Sequence, residues 1–350
     1  MDRRQFFRGA AGAAAGMLVT DAGLRKRVAA AAQDGPVIDF HAHCAIPGVA
    51  EMMGRTTQMD SPTIIGPDRL RAMDELGIDI EVLSINPNLY QLDEGQAERV
   101  GRFQNEGIAE ICAGYDGRFV GLATLALQFP ELAIQQLEEG VNELGLRGGS
   151  IGTSVGSVHL GDPRFYPFWA KVEELDVPIW LHPVLIPDLQ PWLEGNGMLG
   201  NAIGNEVAMA IAFGRLIFEG VMDRFPRLNI VTAHGGGYLP AYAPRTDYGC
   251  GTRPCGPTPE RLPSDYIRDR FFYDSAVFTD EALRHLIAVS STSQIVIGTD
   301  YPFSWTFPPR DPRLPRFTPV ERILAAPGLS DADRAAMLGG NAARLLKLNV

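Results

Sequence analysis

Two histidines stand one residue apart at the end of an apolar run near the start of the chain. The stretch "PVIDFHAHC", residues 36–44, places His41 and His43 directly after residues typical of a buried strand, in a chain that has only six histidines. Alternate residues of an extended segment point to the same side. Imidazole nitrogens on one side of a strand are suited to bind one metal ion jointly.

Three more polar residues stand at the ends of other apolar runs. His182 ends "PIWLH", His234 ends "NIVTAH" and Asp300 ends "QIVIGTD". A third histidine and a carboxylate would complete a mononuclear metal site that leaves room for water or substrate. The alternative, scattered structural polar residues, does not explain why the same placement recurs at separate strand ends.

The elements that would position these residues alternate regularly along the chain. Short apolar runs, read as strands, are separated by amphipathic helical patterns such as "PELAIQQLEEGVNELG". This order predicts an α/β fold, a (β/α)8 TIM barrel whose strands all point their carboxyl ends to one face. An open doubly wound sheet is the alternative, but "FHAHCAIPG" lacks its glycine-rich first turn. The predicted strands are 37–40, 80–84, 119–125, 145–152, 178–182, 229–234, 271–275 and 294–300.

The first 33 residues have a different composition from the rest. "MDRRQFFRGAAGAAAGML" combines Arg3 and Arg4 with aromatic residues and a weakly apolar run, which resembles a twin-arginine export signal. An amphipathic or disordered leader is the alternative. We expect a signal peptide over 1–33, a barrel domain over 34–350, and a periplasmic or secreted protein. The apolar run is shorter than the about 20 residues that span a bilayer, so no membrane span is expected.

The net charge and the cysteines indicate which class of partner is excluded and which redox compartment suits the protein. The net charge of −11, without a Lys/Arg block in the body of the chain, argues against nucleic acid as a partner. Cys250 and Cys255 in "CGTRPC" could close a small disulfide in an oxidising compartment. Cys44 and Cys112 are expected to be buried as small hydrophobic residues.

Four motifs, "IDFHAH", "LHP", "AHGGG" and "IGTDYPF", occur in this order. Together with phrases such as "DRFPRLNI", they resemble the amidohydrolase superfamily over residues 36–348, specifically the branch of aminocarboxymuconate-semialdehyde decarboxylase. The resemblance implies that His41, His43, His182 and Asp300 hold one divalent metal, zinc first and manganese in some relatives. It implies that His234 is the acid/base. Asp300 could instead act mainly as the base for water, as in hydrolytic members.

Lysine usage bears on the number of metal ions. Binuclear amidohydrolases commonly bridge two metals with a carboxylated lysine at strand four, whereas residues 145–152 contain no lysine. We therefore expect one metal ion.

Two arginines are candidates for substrate binding. Arg245 matches, by family pattern, an arginine that reaches a neighbouring subunit's site, which implies a homodimer; a surface arginine paired with Asp247 is the alternative. Arg55 could correspond to the family's arginine for the substrate carboxylate, although its spacing departs from the pattern. The backbone amides of residues 235–237 could cradle an oxyanion, or these glycines only permit a tight turn.

The remaining candidates are histidine and aromatic residues. His159 follows strand four and could line the pocket, while Trp192 and Phe303 could form aromatic walls for a planar substrate or simply pack. His285 falls on a predicted helix, where a role at the helix surface or the edge of the core is expected.

The function expected from these observations is a metal-dependent carboxy-lyase that removes CO2 from an unsaturated or aromatic carboxylic acid. A mononuclear hydrolase of a lactone, ester or amide is the alternative. A non-catalytic barrel whose metal stabilises a binding pocket is a third hypothesis, which an acid/base at His234 disfavours.

Overall fold

The computed structural model describes residues 35–55, 61–253, 259–303 and 318–349. The predicted signal peptide over 1–33 and Cys255 lie outside these residues. Within the described ranges, no helix is long and apolar enough to cross a lipid bilayer.

Eleven short strands are described, and most are fully buried because apolar residues face both the barrel interior and the surrounding helices. They are β1 (Ile38–His43), β2 (Ile80–Ser84), β3 (Phe119–Gly121), β4 (Ala123–Thr124), β5 (Gly149–Gly152), β6 (Ser154–Val155), β7 (Val158–His159), β8 (Pro178–His182), β9 (Asn229–Thr232), β10 (Phe271–Asp274) and β11 (Ile295–Val296).

Helices alternate with these strands and present apolar faces to them. They are α1 (Val49–Met52), α2 (Pro67–Leu76), α3 (Glu94–Gly114), α4 (Pro130–Asn142), α5 (Tyr166–Leu175), α6 (Gln190–Leu193), α7 (Glu206–Phe218), α8 (Val221–Arg224), α9 (Leu239–Thr252), α10 (Pro263–Asp269), α11 (Asp280–Val289), α12 (Pro319–Ala325), α13 (Asp331–Ala335) and α14 (Asn341–Leu346). Capping side chains stabilise the N-terminal ends of several helices. The Asp93 carboxylate accepts from Gln96 N at α3, and Thr318 forms a capping box at α12.

The parallel strands close into a barrel. Hydrogen bonding follows the orders β1-β2-β3 and β11-β10-β9-β8-β5-β4. The two sheets join at one side because β3 and β4 are separated only by Leu122, which donates from its backbone to Leu83 O at 3.0 Å. At the other side, Asp39 bridges to Ile297 and Ala42 to Tyr301. The predicted TIM barrel is confirmed, with β6 and β7 forming a separate antiparallel hairpin.

The eighth strand is shorter than predicted. Regular pairing with β10 ends at Val296, yet the chain continues alongside β1, where Phe40 N donates to Ile297 O at 2.9 Å and Asp300 N to His41 O at 2.9 Å. Asp300 has φ of 59° and so turns the chain away from the strand. This segment sets Asp300 beside the end of β1.

Candidate metal centre

Four histidines and one aspartate meet at the carboxyl ends of the barrel strands. One ligand atom from each of His41, His182, His234 and Asp300 lies within 4.8 Å of the others. His43 lies outside that group, but its Nε2 is 3.1 Å from His41 Nε2 and 2.9 Å from Asp300 Oδ1. The structure thus brings together all five residues that the sequence placed at strand ends.

Asp274, at the end of β10, orients His41. His41 Nδ1 donates to Asp274 Oδ2 at 2.5 Å, and Asp274 Oδ1 accepts from the backbone amides of Gly235 at 2.8 Å and Ala276 at 3.2 Å. In the neutral ring that a metal requires, a proton held on Nδ1 by Asp274 leaves the lone pair on His41 Nε2, which is directed into the cluster. A carboxylate behind a metal-binding histidine fixes its tautomer and increases its basicity.

Glu206 holds His234 in the same manner. His234 Nδ1 lies 2.7 Å from Glu206 Oε1, and His234 Nε2 lies 3.7 Å from Asp300 Oδ2. Gly237 allows this approach, because a Cβ there would lie 2.6 Å from the Glu206 carbonyl oxygen. His234 therefore points Nε2 toward the cluster, from the first turn after β9.

The glycine amides of the "AHGGG" motif do not form the predicted oxyanion cradle. Gly235 N donates to Asp274, Gly236 N to Ala233 O at 3.0 Å and Gly237 N to His234 O at 3.2 Å, so protein acceptors occupy all three donors. These glycines have φ of 61°, 81° and 65°, which a tight turn requires and most other residues avoid. The alternative, a turn, is what the structure contains.

Two functional candidates themselves adopt positive φ, which is costly for residues other than glycine. His234 has φ of 55° and Asp300 has φ of 59°. Such strain persists only where surrounding contacts fix the backbone, and it is concentrated at functional sites. Both side chains thereby turn inward from the ends of their strand segments.

The charges in the cluster set the pKa values of its histidines. Burial opposes a charged His41, but Asp300 and Asp274 raise the pKa of its imidazole to about 9. Burial also opposes a charged His234, but the nearby carboxylates of Asp300 and Glu206 raise the pKa of its imidazole to about 10. Burial lowers the pKa of His43 to about 4 and that of His182 well below its usual value. The pKa of Asp300 is lowered by the histidines around it, against its burial.

This donor set fits a divalent metal. The lone pair on His41 Nε2 faces two other potential acceptors, since Asp300 Oδ1 is 3.0 Å away and His43 Nε2 is 3.1 Å away. An electropositive atom is needed among them, either a shared proton or a cation. Imidazole nitrogens and one carboxylate within such distances are the ligands of mononuclear zinc and related sites.

Comparison with known proteins shows the family. The Amidohydrolase family model matches residues 38–348. The chain belongs to the amidohydrolase family. It is 31% identical to the 2-amino-3-carboxymuconate-6-semialdehyde decarboxylase of Dictyostelium discoideum, over 89% of this chain and 84% of the relative. It is 32% identical to the gamma-resorcylate decarboxylase of Rhizobium radiobacter, over 80% of this chain and 86% of the relative.

Solved structures agree with these relatives. A dihydroxybenzoic acid decarboxylase from Polaromonas sp. JS666, determined with bound manganese and the inhibitor 2-nitroresorcinol, superposes with a TM-score of 0.76 at 29% identity, covering 90% of this chain and 98% of that one. Other activities also occur among the relatives: a 2-keto-4-carboxy-3-hexenedioate hydratase from Sphingobium sp. is 28% identical over 80% of this chain and 82% of that protein.

The described lysines of this amidohydrolase are remote from the cluster. Lys171 pairs with Glu138 and Glu174 on the helical surface, and Lys347 pairs with Asp176. Strand β5, the fourth around the barrel, reads "GSIG" and carries no lysine. The part of the chain that is described thus holds no bridging lysine for a second metal.

Two predicted substrate residues lie at the carboxyl-terminal face of the barrel, and one of them, Phe303, contacts the cluster. The Phe303 ring meets His43 edge-on, with centroids 5.2 Å apart. Arg55 lines a cavity of about 280 Å³ beside the ends of β1 and β2, together with Asn88 and Gln104. Phe303 and Arg55 are therefore on the face of the barrel that carries the histidines.

The structure does not bring the other three substrate candidates to the cluster. His159 Nδ1 lies 2.8 Å from Glu219 Oε2, beyond the end of α7. Trp192 is 83% exposed on α6, so among the described residues it forms no wall of the cluster. Arg245 is exposed on α9, and Asp247, its alternative partner, accepts from Ser264 N.

The structure shows the state of three cysteines and the exposure of His285. Cys250 is disulfide-bonded, while its predicted partner Cys255 lies outside the described residues. Cys44 is a buried free thiol, and Cys112 is partly buried. His285 is exposed on α11, as expected of a surface histidine.

Sequence reasoning missed Asp274 and Glu206. Asp274 ends "FFYD", so the placement at a strand end that singled out Asp300 applies to it as well. In the structure Gly298 leaves room for this side chain, because a Cβ there would lie 2.6 Å from Asp274 Cβ. Glu206 begins α7 after a π-helical segment, and no motif or strand end in the sequence marks it as a site residue.

Proposed function

We propose that this protein is a metal-dependent decarboxylase of an aromatic or unsaturated carboxylic acid. The observation that carries the proposal is the convergence of His41, His182, His234 and Asp300 within 4.8 Å, in a chain whose relatives include decarboxylases of such acids. Removal of CO2 needs a group that withdraws electrons from the acid and a group that supplies a proton, and the cluster contains candidates for both.

We assign one divalent metal to His41, His43, His182 and Asp300. Bound there, the metal would supply positive charge that polarises a carboxylate or hydroxyl oxygen of the substrate. Zinc is our first assignment because imidazole nitrogens suit it. Manganese is supported by its presence in the similar Polaromonas structure. Metal analysis of protein purified without added metal distinguishes the two.

His234 holds the proton that replaces the lost carboxyl group. Its hydrogen bond to Glu206 stabilises the protonated ring, as does the carboxylate of Asp300, whose Oδ2 lies 3.7 Å from His234 Nε2. When the carbon–carboxyl bond breaks, its electron pair stays on the carbon, which takes the proton, and CO2 leaves. Asp300, kept ionised by the surrounding histidines, accepts or passes the same proton.

The substrate lies, on this proposal, between the cluster and the β1–β2 side of the barrel. The Phe303 ring beside His43 offers an apolar edge to a planar acid. Arg55, at the cavity beside the ends of β1 and β2, offers a positive charge for a second carboxylate or a hydroxyl group.

Product analysis tests the reaction. Metal-loaded protein is incubated in 18O-labelled water with a panel that includes 2,6-dihydroxybenzoate and other hydroxylated aromatic acids, and headspace CO2 is measured with the product mass. We expect CO2 in equal amount to a product that has gained one hydrogen and no solvent oxygen. Solvent oxygen in the product without CO2 would contradict decarboxylation.

Hydrolysis of a lactone, ester or amide is the second candidate. The same cluster could activate water, because His234 and Asp300 can also remove a proton from it. The hydratase among the relatives indicates that water addition occurs on this type of chain. Incorporation of one solvent oxygen identifies either water reaction. Cleavage of an ester or amide into two products, or opening of a lactone to a hydroxy acid, then identifies hydrolysis.

We also propose a homodimer in which exposed aromatic residues of α6 and α9 take part. These two helices expose Trp192 by 83%, Tyr242 by 59% and Tyr248 by 78%. Large exposed aromatic residues near an exposed Arg245 are typical of protein interfaces. Light scattering of the purified protein gives the mass, and a monomer at micromolar concentration would contradict the dimer.

Export by the twin-arginine pathway is the remaining proposal. It is supported by Arg3, Arg4 and the aromatic pair that follows them. Fusing residues 1–40 to a reporter that is active only after export, with and without Arg3→Lys and Arg4→Lys, tests it. We expect export that is lost in the double variant; equal reporter signal would contradict a twin-arginine signal.

A further inference from the structure

Arg69 is a buried arginine that the mechanism above does not use. It lies on α2 in "GPDRLRAMDELG", where a charged residue of an amphipathic helix would ordinarily face solvent, yet it is 2% exposed. Its Nε–H donates to Glu81 Oε2 at 2.7 Å, and Glu81, on β2, is fully buried. A charge held this deeply inside the protein requires a physical reason.

The guanidinium contacts one proposed metal ligand and the residue that follows another. Its Nη1–H donates to the main-chain carbonyl of His43 at 3.2 Å. Its carbon lies 4.0 Å from the centre of the Tyr301 ring, and Tyr301 directly follows Asp300. His43 N in turn donates to Tyr301 O at 2.8 Å. One side chain thus joins the end of β1 to the segment that carries Asp300.

Stability alone does not account for this arrangement. Removing two charges from water is costly, and a buried ion pair replaced by apolar residues often leaves stability unchanged or improved. Within the described part of the chain, Arg69 Nη2 and Glu81 Oε1 have no hydrogen-bond partner, so the pair is incompletely compensated. What arginine does provide is a rigid planar fork that can donate in several directions and stack on a ring at once.

We propose that Arg69 is a positioning residue of the metal centre: its buried guanidinium fixes His43 relative to Asp300 by bonding the His43 carbonyl, packing on Tyr301 and pairing with Glu81. The inference rests on the proposed metal-dependent function. Groups behind metal ligands typically change metal affinity about 10–100-fold when they are removed.

The test measures metal binding rather than activity. Metal-free wild type and Arg69→Met are titrated with Co²⁺, whose visible absorption reports ligand geometry, and thermal unfolding is recorded for each. Arg322→Met is the matched control, because Arg322 is also a buried arginine, 6% exposed, on α12 and 3.5 Å from Asp280. We expect the Kd for Co²⁺ to rise about 10–100-fold and the spectrum to change in Arg69→Met only.

Arg69→Lys keeps the test decisive if Arg69→Met does not fold. Lysine retains the charge opposite Glu81 but loses the fork and the planar face, so a several-fold weaker Kd with an altered spectrum is expected. Wild-type Kd and spectrum in a folded Arg69 variant would overturn the positioning role. Wild-type protein that binds no Co²⁺ would instead overturn the metal centre itself, which separates the two failures.

Discussion

His182 and Trp192 are ten residues apart in the chain, yet His182 is 9% exposed and Trp192 is 83% exposed. His182 ends a barrel strand, where backbone hydrogen bonds to β5 and β9 fix its direction. Trp192 lies on a four-residue helix in the long connection that follows. The first position is fixed by the barrel, whereas the second lacks a packing partner within the described chain.

The same contrast holds for the two regions as a whole. At the strand ends, carboxylates and backbone groups hold each histidine, so the centre is formed within a single chain. On the surface of α6 and α9, large side chains and Arg245 are exposed, so any functional role there depends on another molecule. Substitutions should therefore act on chemistry in the first region and on assembly in the second.

The largest effect is expected for Asp300→Asn. The change removes both a metal ligand and a partner in proton transfer, so decarboxylation should fall by more than about 10⁴-fold. Steady-state CO2 release measures it. Asp331→Asn, at a 97% exposed side chain, is the control and should retain wild-type activity. Substantial activity in Asp300→Asn would contradict the assignment of both roles.

His234→Ala should separate proton transfer from metal binding. If His234 is the acid/base, kcat falls about 10²–10⁴-fold while metal content per chain stays that of the wild type. Metal analysis and single-turnover kinetics on the same sample measure both quantities. Loss of the metal would instead indicate that His234 is a ligand. Its position among the four converging residues also permits that role.

Asp274→Asn should weaken the centre without abolishing it. Asparagine keeps the size of the side chain but removes the charge that holds His41 in one tautomer, so metal affinity should fall about 10–100-fold. Competition with a chelator gives the affinity. Asp269→Asn on the surface of α10 is the control, and equal affinities in the two variants would show that Asp274 does not support His41.

Metal binding should depend on pH through His41. In the metal-free protein, Asp300 and Asp274 overcome the effect of burial and raise the pKa of His41 to about 9, so the ring is protonated at neutral pH. Metal binding needs the neutral ring and releases this proton, so affinity should rise about tenfold per pH unit below pH 9. Calorimetry in buffers of different ionisation enthalpy counts the protons, and zero release would contradict a charged His41.

The smallest effect on chemistry is expected for Trp192→Ala. A surface change away from the centre alters energies by less than about 0.5 kcal/mol, roughly twofold in a rate. The same variant should weaken the proposed dimer, which sedimentation at several concentrations measures. A large loss of kcat in a variant that keeps its oligomeric state would place Trp192 in the catalytic site.

Sequence periodicity was sufficient to predict the barrel and the convergence of the five residues at strand ends. Buried parallel strands read as apolar runs, and closure of the barrel then requires their ends to meet, so His41, His43, His182, His234 and Asp300 converge whatever the loops do. Asp274 could have been included by the same rule. The barrel and the convergence of these five residues were therefore predictable from local pattern and topology.

Other parts of the centre depend on contacts that no local pattern encodes. Glu206 follows a π-helical segment, Gly200–Asn205, and approaches His234 where Gly237 leaves room for the backbone of α7. Arg69 sits in a helix that reads as amphipathic, and its burial follows from how α2 meets β2. His159 follows a strand, as the predicted ligands do, but the β6–β7 hairpin carries it toward Glu219.

The most direct test of the account is the metal content of the protein purified without added metal, measured per chain for wild type, His182→Ala and the surface control His285→Ala. A mononuclear centre predicts about one zinc or manganese ion per chain in wild type and in His285→Ala, and loss of that ion in folded His182→Ala. Active wild-type protein without metal, or with two metal ions per chain, would contradict it.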